Sequence, residues 1–360
     1  VPTSNIKFPT SNTAITLVAL VITIIVLLIL AGVTLSMVIG ESGLFEKANN
    51  AKQATEEENE KEKKELMQAE ASMHLENYEY TDVEGKTAII PAGYTVSNEE
   101  GENLVDKGLV IIGKNGNEYV WIPCTKETYK RETSAWWIEN DPEDNPTLAT
   151  KDELTLTGAT PSKVESDNGI TVEVLNEIVE QVNKEIASVE KNKGYYIGRY
   201  EIGNENNEGV IQAKKEPYTN IKWSQAYKIA KEIDVGEGAT SYLCSSYAWD
   251  TAVKFIQTHS TATNYGTSRD GFNENWQDKE VKDKNGNIIK KANEAVRLKT
   301  GLTTSKANIY DMGGNVAEFT TELNPNTSEA VVLHGGDYVF NWEAGGRRDN
   351  NSGDAGSVYG

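Results

Sequence analysis

Residues 308–319 read NIYDMGGNVAEF and residues 330–338 read AVVLHGGDY, and these two stretches decide how the C-terminal part of the chain is interpreted. The run AVVLHGG is apolar and ends at a glycine pair, which is typical of a short strand followed by a turn. Similar runs occur earlier in the chain, at residues 109–116, 118–123 and 195–203. From about Tyr78 the composition is rich in Gly, Asn, Tyr and Trp, which indicates a separate globular domain.

Other stretches of this domain have apolar residues at helical spacing. They are residues 176–192, 223–233 and 246–259. Short strands combined with a few helices predict an α+β domain. The stretch from about 132 to 168 is acidic and Thr-rich and has neither period, so we expect an inserted loop there within a domain that spans 79–360.

The N-terminal part of the chain has a different character. Residues 15–39 contain no charge, and a helix of that length, at about 1.5 Å per residue, crosses a hydrocarbon core of about 30 Å. The stretch predicts a transmembrane helix after a leader of residues 1–14; the alternatives are a buried core helix and a cleaved secretory signal. Residues 40–78 lack proline and are rich in Glu, Lys and Ala, which predicts that the helix continues as a stalk.

Composition limits the functions open to the chain. It has 360 residues, with 35 basic and 55 acidic side chains and a net charge of -20, which disfavours binding to nucleic acid. Two cysteines and three histidines leave little for a thiolate or imidazole metal site. The cysteines, Cys124 and Cys244, form a disulfide or are two buried thiols, and the sequence leaves both alternatives open.

The hydrophobic segment and the residue before it resemble the N-terminus of type IV pilins and pseudopilins. That resemblance implies cleavage between Ala14 and Ile15, then self-association of the helix in the membrane or in an extracellular filament. Two positions depart from the family pattern, because Ala14 replaces the usual glycine and Ala19 replaces the usual glutamate.

A series of motifs in the C-terminal domain resembles the formylglycine-generating-enzyme-like domain, a variant of the C-type lectin fold. The motifs, in chain order, are EYVWIP (118–123), YYIGRYE (195–201), Trp223 with Ala226, LCSSYAW (243–249), NIYDMGGNVAE (308–318) and GGDY (335–338). The expected fold class is thus α+β, with a long N-terminal transmembrane and stalk helix followed by this domain.

The same resemblance allows the chemistry of the family to be tested residue by residue. Its oxidising members hold copper with two cysteines near the C-terminus, but no cysteine follows Cys244 here. Members that hold iron use three histidines, whereas this domain has only His259 and His334, which we expect to be hydrogen-bonded surface residues. The chain is therefore predicted to lack a redox metal and not to be an enzyme.

Calcium is the metal that the resemblance favours. Family members often bind it at this glycine-rich turn through two side chains and two backbone carbonyls. The matching positions here are Asp311, Gly314, Val316 and Glu318. The alternative is that Asn315 and Glu318 only brace the turn by hydrogen bonds.

The C-terminal residues alternate aromatic with small polar side chains, a composition typical of binding surfaces. The candidate ligand contacts are Asp337, Tyr338, Phe340, Asn341, Trp342, Arg347, Arg348, Asp349, Asn350 and Asn351. Some bacterial relatives vary these positions by retroelement-driven mutation. The alternative is that Tyr338 and Trp342 fill the core while Arg347 and Arg348 pair with local acids.

Together these features predict a pilin-like adhesin displayed on the cell surface, which binds an extracellular protein or glycan through its C-terminal loops. Two other functions stay open at this point. One is a membrane-tethered, metal-dependent oxidase or modifying enzyme of the formylglycine-generating family, and the other is a purely structural filament subunit.

Overall fold

The computed structural model describes residues 22–28, 44–132, 152–159, 161, 169–268, 275–283, 286–324, 330–341 and 343–350. The chain divides into two compact units, Val1–Glu65 and Leu66–Gly360. The second unit, called the head below, contains all of the strands that the structure describes.

The predicted transmembrane helix is wrong. Among the residues that the structure describes, none of the helices is long and apolar enough to cross a membrane. The helical residues 22–28 extend for only about 10 Å. Helix α1 (Leu44–Ala71) is much longer, but it is dominated by Glu and Lys. The rest of the predicted span (15–21 and 29–39) and the processing positions Ala14 and Ile15 lie outside the described residues.

The prediction of a stalk helix continuing to residue 78 is corrected as well. Helix α1 ends at Ala71, where backbone bonds such as Met73 N–H to Glu70 O tighten the last turn. Met67 and Ala71 are buried, with 6% and 0% of their surface exposed. The end of α1 is therefore part of the core of the head.

The head begins with six antiparallel strands. They are β1 (Tyr78–Thr81), β2 (Thr87–Ile90), β3 (Tyr94–Val96), β4 (Val110–Gly113), β5 (Glu118–Pro123) and β6 (Gly194–Gly198). β1 and β2 form a hairpin, and the other four form one sheet in the order β3-β4-β5-β6, which makes β6 an edge strand. The Asn115-Gly116 turn joins β4 to β5, and Gly116 has a φ of 82° that favours glycine.

The remaining strands form three small antiparallel sheets. They are β7 (Gly203–Glu205), β8 (Glu208–Val210), β9 (Glu216–Pro217), β10 (Val281–Lys282), β11 (Ile288–Lys290), β12 (Glu318–Asn324), β13 (Ala330–His334) and β14 (Arg347–Asn350). The sheet that matters for function has the order β12-β13-β14. It connects the end of the NIYDMGGNVAEF stretch with the C-terminal candidate residues.

The three predicted helices are confirmed as α2 (Val172–Asn192), α3 (Trp223–Glu232) and α4 (Ser246–His259). Two of them begin with side-chain caps, since Thr171 Oγ1 accepts from the Val174 N–H and Ser245 Oγ accepts from the Ala248 N–H. Most residues of α4 are buried, as its apolar sequence indicates.

Two apolar clusters form much of the core of the head, and the first of them fixes the position of β12. One packs α2 and α3 against β12 and β13, with Trp223, Phe319 and Leu333 at its centre. The other packs α4 against β4 and β5. The Trp223 indole N–H donates to the Thr320 carbonyl at 2.8 Å, so α3 also holds the backbone of β12.

The predicted insertion at 132–168 is described only at its start and at residues 152–159 and 161. Within that part, a short 3₁₀ helix (Glu153–Thr155) carries the buried Glu153, and the buried Leu156 follows it. This piece of the insertion is packed into the core of the head.

Gly108 connects the first sheet to the stretch that begins at Asn308. It ends a 3₁₀ helix (Val105–Lys107) with a φ of 86°, and its carbonyl accepts from the Asn308 side-chain amide at 2.8 Å. A Cβ at this position would lie 2.4 Å from the Ala307 carbonyl oxygen. Only glycine therefore fits at this contact.

We expect Gly108→Ala to destabilise the head by about 2 to 4 kcal/mol, because it adds a steric clash with backbone to the strain of a left-handed residue. Chemical denaturation of the variant measures this loss. The matched control is Gly85→Ala, where φ is 78° but nothing lies within 4 Å of the added Cβ, so only the strain of about 1 kcal/mol remains. Equal losses in the two variants would contradict this explanation.

Candidate functional site

Residues 311–318, called the glycine turn below, lead into β12. Asp311 and Asn315 have φ angles of 62° and 66°, a left-handed conformation that Asp, Asn and Gly adopt most easily. The DMGGN sequence suits this geometry because Asp and Asn occupy the two left-handed positions. The turn is buried from Asp311 to Ala317.

Asn315 holds the glycine turn to two other chain segments. Its Nδ2 donates to Glu201 Oε2 at 2.7 Å and to the Leu298 carbonyl at 3.1 Å. Its Oδ1 accepts from Asn275 Nδ2 at 2.7 Å and from the Leu298 N–H at 2.9 Å. The buried amide thus makes all four of the hydrogen bonds that its side chain can make.

Glu201 completes this arrangement from the loop that follows β6. Its Oε1 accepts from the Val316 N–H at 2.9 Å, so one carboxyl group contacts both the side chain and the backbone of the turn. The residue is only 8% exposed. Asn315 therefore has the bracing role that was predicted as one alternative.

The two predicted calcium side chains differ in how they are held. Asp311 accepts hydrogen bonds from the Thr303 hydroxyl and from the Gly301 N–H. Glu318 begins β12, and its Oε2 is buried with no hydrogen-bond partner among the residues described. Gly335 faces it with a φ of 70°, and a Cβ there would lie 3.0 Å from Glu318 Oε2.

The carboxyl groups at the glycine turn raise one another's pKa values. Burial raises the pKa of Glu201, and the negative charge of Asp311 raises it further. Burial also raises the pKa of Glu318, and the nearby negative charges of Glu201, Asp311 and Asp337 raise it further. A bound cation would relieve this repulsion.

The donors present here fit calcium, because carboxylate and carbonyl oxygens are the ligands that this hard cation takes. The unpartnered Oε2 of Glu318 is the observation that favours it. Asp311 and Glu318 would supply carboxylates, and Gly314 and Val316 would supply carbonyls. Within the described part of the chain, no group of three or more His, Cys, Asp or Glu side chains is arranged to hold a metal ion, so carbonyls are essential to such a site. Calcium binding stays a prediction.

Residues 335–346, called the C-terminal loop below, connect β13 to β14. The buried Asp337 organises its first half, since Oδ1 accepts from the N–H groups of Val339 and Phe340, both at 2.7 Å. The Asp337 N–H in turn donates to the Phe340 carbonyl at 3.1 Å, and the Tyr338 N–H donates to the Asn315 carbonyl at 3.0 Å. Residues 337–340 of the loop therefore have a fixed backbone that rests on the glycine turn.

The predicted ligand contacts divide into groups by location. Phe340 is 51% exposed, and Tyr338 and Asn341 are half-buried. Asp337 and Arg347 are buried. Arg348, Asp349 and Asn350 belong to β14 but their side chains are not described, and Trp342 and Asn351 lie outside the described residues.

Arg347 belongs to a buried charge cluster below this loop. The members of the cluster are Arg131, Glu153, Asp250, Glu322, His334 and Arg347. Arg347 Nε donates to both oxygens of Glu322 at 2.9 Å, and its Nη2 donates to Asp250. Arg131 Nη2 and His334 Nε2 also contact Glu322, each at 2.9 Å.

The expectation that His334 is a surface residue is wrong. None of its surface is exposed, because β13 directs it into the charge cluster. Burial lowers the pKa of His334 to about 4, and the nearby Arg347 lowers it too. For Glu322, burial acts to raise the pKa, but Arg347, His334 and Arg131 together hold it well below its usual range. At neutral pH a neutral His334 therefore donates from Nε2 to an ionised Glu322.

Sequence reasoning missed Glu201 and the acidic members of this cluster. A signal was present for two of them, since Glu201 and Asp250 each stand in a stretch whose other residues are largely apolar or aromatic. A charge that interrupts a buried strand or helix predicts an internal partner. Which partner it finds depends on pairing between distant segments.

Both cysteines are free thiols in the structure. They lie in one apolar cluster together with Tyr195. Burial raises the pKa of Cys124 to about 12 and that of Cys244 well above its usual value. At neutral pH neither is a thiolate, the form that binds soft metals.

Comparisons with known proteins identify one family. The model of the FGE-sulfatase family, described as Sulfatase-modifying factor enzyme 1-like domain, matches residues 164–359, more than half of the chain. Among solved structures, the chain is similar to Treponema denticola variable protein 1, with 14% identity over 79% of this chain and 96% of that chain. The TM-score is 0.20, so nothing about fold or function follows from this likeness. No curated protein matches the sequence.

We expect Glu318→Gln to be more stable than the unchanged protein at pH 8 in the presence of a chelator. Folding raises the pKa of the Glu318 carboxyl above its value of 4.5 in the unfolded chain. Above pH 4.5 the unfolded chain loses this proton while the native state resists ionisation, so the carboxyl destabilises the native state increasingly as pH rises. The advantage of the variant should therefore grow from pH 4.5 upward and vanish below about pH 4. Denaturation at several pH values measures it.

Calcium should reverse the order of these two proteins at pH 8, because it stabilises only the one that keeps the Glu318 carboxylate. The control is Glu79→Gln, at an exposed position on β1, which should show neither effect. A Glu318→Gln variant that responds to calcium as the unchanged protein does would contradict the calcium site.

Arg347→Met should destabilise the head by about 3 to 5 kcal/mol, because it leaves buried carboxylates without their main cation. Chemical denaturation at pH 7 measures the change. Lys228→Met is the matched control, since Lys228 pairs with Glu232 on the surface of α3 at 3.7 Å and its loss should cost less than about 1 kcal/mol. A similarly small loss for Arg347→Met would show that the buried charge cluster is not a stability determinant.

Proposed function

This chain belongs to the FGE-sulfatase family, and we propose that it is a non-catalytic member that binds a protein or glycan ligand through its C-terminal loop. The supporting observation is that a rigid loop holds an aromatic side chain in solvent. Phe340 is 51% exposed, although its own backbone N–H and carbonyl are both bonded to the buried Asp337.

A fixed backbone favours recognition because little conformational entropy is lost when a ligand binds. The loop is held on both sides, by Asp337 where it leaves β13 and by Arg347 where β14 begins. Between these two anchors, Tyr338 and Asn341 flank Phe340 and add a phenol and an amide. Aromatic and amide groups of this kind are common in binding surfaces.

The absence of suitable ligands in the sequence argues against the redox chemistry of the family. Residues 339–342 are Val, Phe, Asn and Trp, where the oxidising members have their copper-binding cysteine region, and the two cysteines of the chain come earlier. His334 is engaged with Glu322 and is fully buried, which leaves it poorly placed for a three-histidine iron site. These observations support binding over catalysis.

The class of ligand follows from charge and surface chemistry. With a net charge of -20, the chain repels phosphate backbones, so a protein or a glycan is the better partner. Aromatic rings stack on sugar rings and also anchor protein interfaces, so both classes belong in the test. The predicted cell-surface location and self-association stay predictions from the sequence.

We expect Phe340→Ala to weaken ligand binding by roughly 30-fold, the effect of removing a central aromatic anchor worth about 2 kcal/mol. The full chain is first screened on glycan and purified extracellular-protein arrays, and the affinity of each hit is then measured for both proteins. Folding of the variant is checked by its unfolding midpoint.

The matched control is Ile288→Ala on β11, because Ile288 is 52% exposed and lies outside the C-terminal loop. It should bind as the unchanged protein does. Equal binding by Phe340→Ala would reject the loop as the binding surface. Oxidation of a peptide cysteine by the purified chain with copper would reject the non-catalytic assignment instead.

A further inference from the structure

The head contains a cavity of about 670 Å³ that is separate from the C-terminal loop. Small-molecule sites in proteins have volumes of roughly 300 to 1,000 Å³. Strands β5 and β6, helix α3 and the residues 309–319 line it. Lys184, Ser188 and Lys191 of α2 and residues 237–240 also contribute, and because these residues are exposed, they mark where the cavity opens to solvent.

Aromatic rings form much of the cavity wall. The aromatic residues that line it include Tyr119, Trp121, Tyr195, Tyr196, Tyr200 and Tyr310. The hydroxyls of three of them are already used. Tyr195 donates to the Ala248 carbonyl, Tyr196 to the Ile89 carbonyl and Tyr200 to Glu118. These tyrosines therefore offer ring faces rather than polar atoms.

Two of the lining rings differ from these three, because the Tyr119 hydroxyl and the polar atom of Trp121 are buried without a partner among the residues described. The Trp121 side chain is buried, with 2% of the residue exposed, but its indole N–H has no acceptor among the residues described. The other two buried indoles of the described residues do have acceptors, since Trp223 donates to Thr320 at 2.8 Å and Trp249 donates to Ala344 at 2.9 Å. A buried donor without a partner is rare in folded proteins and points to a missing acceptor.

Two acidic residues of the cavity wall already have hydrogen-bond partners. Glu185 accepts from the Ser245 hydroxyl and Glu201 accepts from the Val316 N–H. Burial also raises the pKa of Glu185, which favours its neutral form. Glu318, a third acidic residue of the wall, belongs to the calcium site predicted above. The wall thus combines ring faces, hydrogen-bonded carboxyls and two buried polar atoms without a partner among the residues described, the Tyr119 hydroxyl and the Trp121 N–H.

We propose that this cavity binds an uncharged, flat aromatic molecule whose carbonyl or ether oxygen accepts the Trp121 hydrogen bond. The flat rings of the ligand stack on the tyrosine faces, and its oxygen supplies the acceptor that the protein lacks. Since none of the described residues of the C-terminal loop lines the cavity, this site is independent of the ligand surface on that loop.

The test uses prodan, an uncharged naphthalene with one ketone whose fluorescence reports its surroundings. The full chain is titrated with it, and two variants change the cavity. Trp121→Phe keeps a ring but removes the N–H, so affinity should fall about tenfold and the emission of bound prodan should shift to the blue. Ala230→Phe on α3 fills the cavity with a new ring and should abolish this binding.

Trp223→Phe is the matched control, because Trp223 does not line the cavity and its N–H has a protein acceptor. It should lower the unfolding midpoint but leave prodan affinity unchanged, whereas Trp121→Phe should weaken prodan binding. Prodan bound elsewhere on the chain gives a background that all variants share. The proposal is overturned if no saturable binding above this background occurs up to 100 micromolar prodan, taken as about the weakest affinity of interest. It is also overturned if Trp121→Phe and Ala230→Phe both bind as the unchanged protein does.

Discussion

The hydrogen bonds of one buried amide support most of the candidate site. Asn315 joins Glu201, Leu298 and Asn275, which come from three separate segments of the head. Its backbone carbonyl also accepts from the Tyr338 N–H and so positions the C-terminal loop. Because a buried amide is costly when its partners are lost, this single residue couples the geometry of the turn to that of the loop.

Charge is distributed very unevenly between the surface and the interior. The chain has a net charge of -20, yet Arg131 and Arg347 lie inside the head, where they contact Glu322. These buried cations balance carboxylates that folding removes from water, which is the condition for keeping ionised groups in a protein interior. The arrangement makes β12, β13 and β14 electrostatically dependent on one another, whereas the exposed acids contribute mainly to solubility.

Local patterns were sufficient to predict the helices α2, α3 and α4 and the strands β4, β5, β6 and β13, because each has a clear apolar period. The family was predicted from ordered motifs. The predicted membrane helix is wrong, because none of the helices among the described residues is long and apolar enough to cross a membrane, although uniform hydrophobicity in residues 15–39 predicted one.

Only part of the candidate site could be predicted, because its contacts join segments that are distant in sequence. Sequence spacing can place Asp311 and Glu318 in one turn, but it does not show which residues of distant segments contact that turn. Glu201 is over a hundred positions away from Asn315 and still contacts it. Likewise, the charge cluster that surrounds His334 assembles from segments as distant as Arg131. Long-range pairing of this kind is a property of the tertiary structure.

The buried end of α1 affects where the head can be separated from the rest of the chain. A truncation at Glu79, which the change in composition suggests, would remove Met67 and Ala71 from an otherwise continuous core. It would also remove the His74 carbonyl, which accepts from the Gly93 N–H at 2.8 Å. A fragment that starts ahead of Leu66 keeps these groups, so the autonomous folding unit is longer than its strand content suggests.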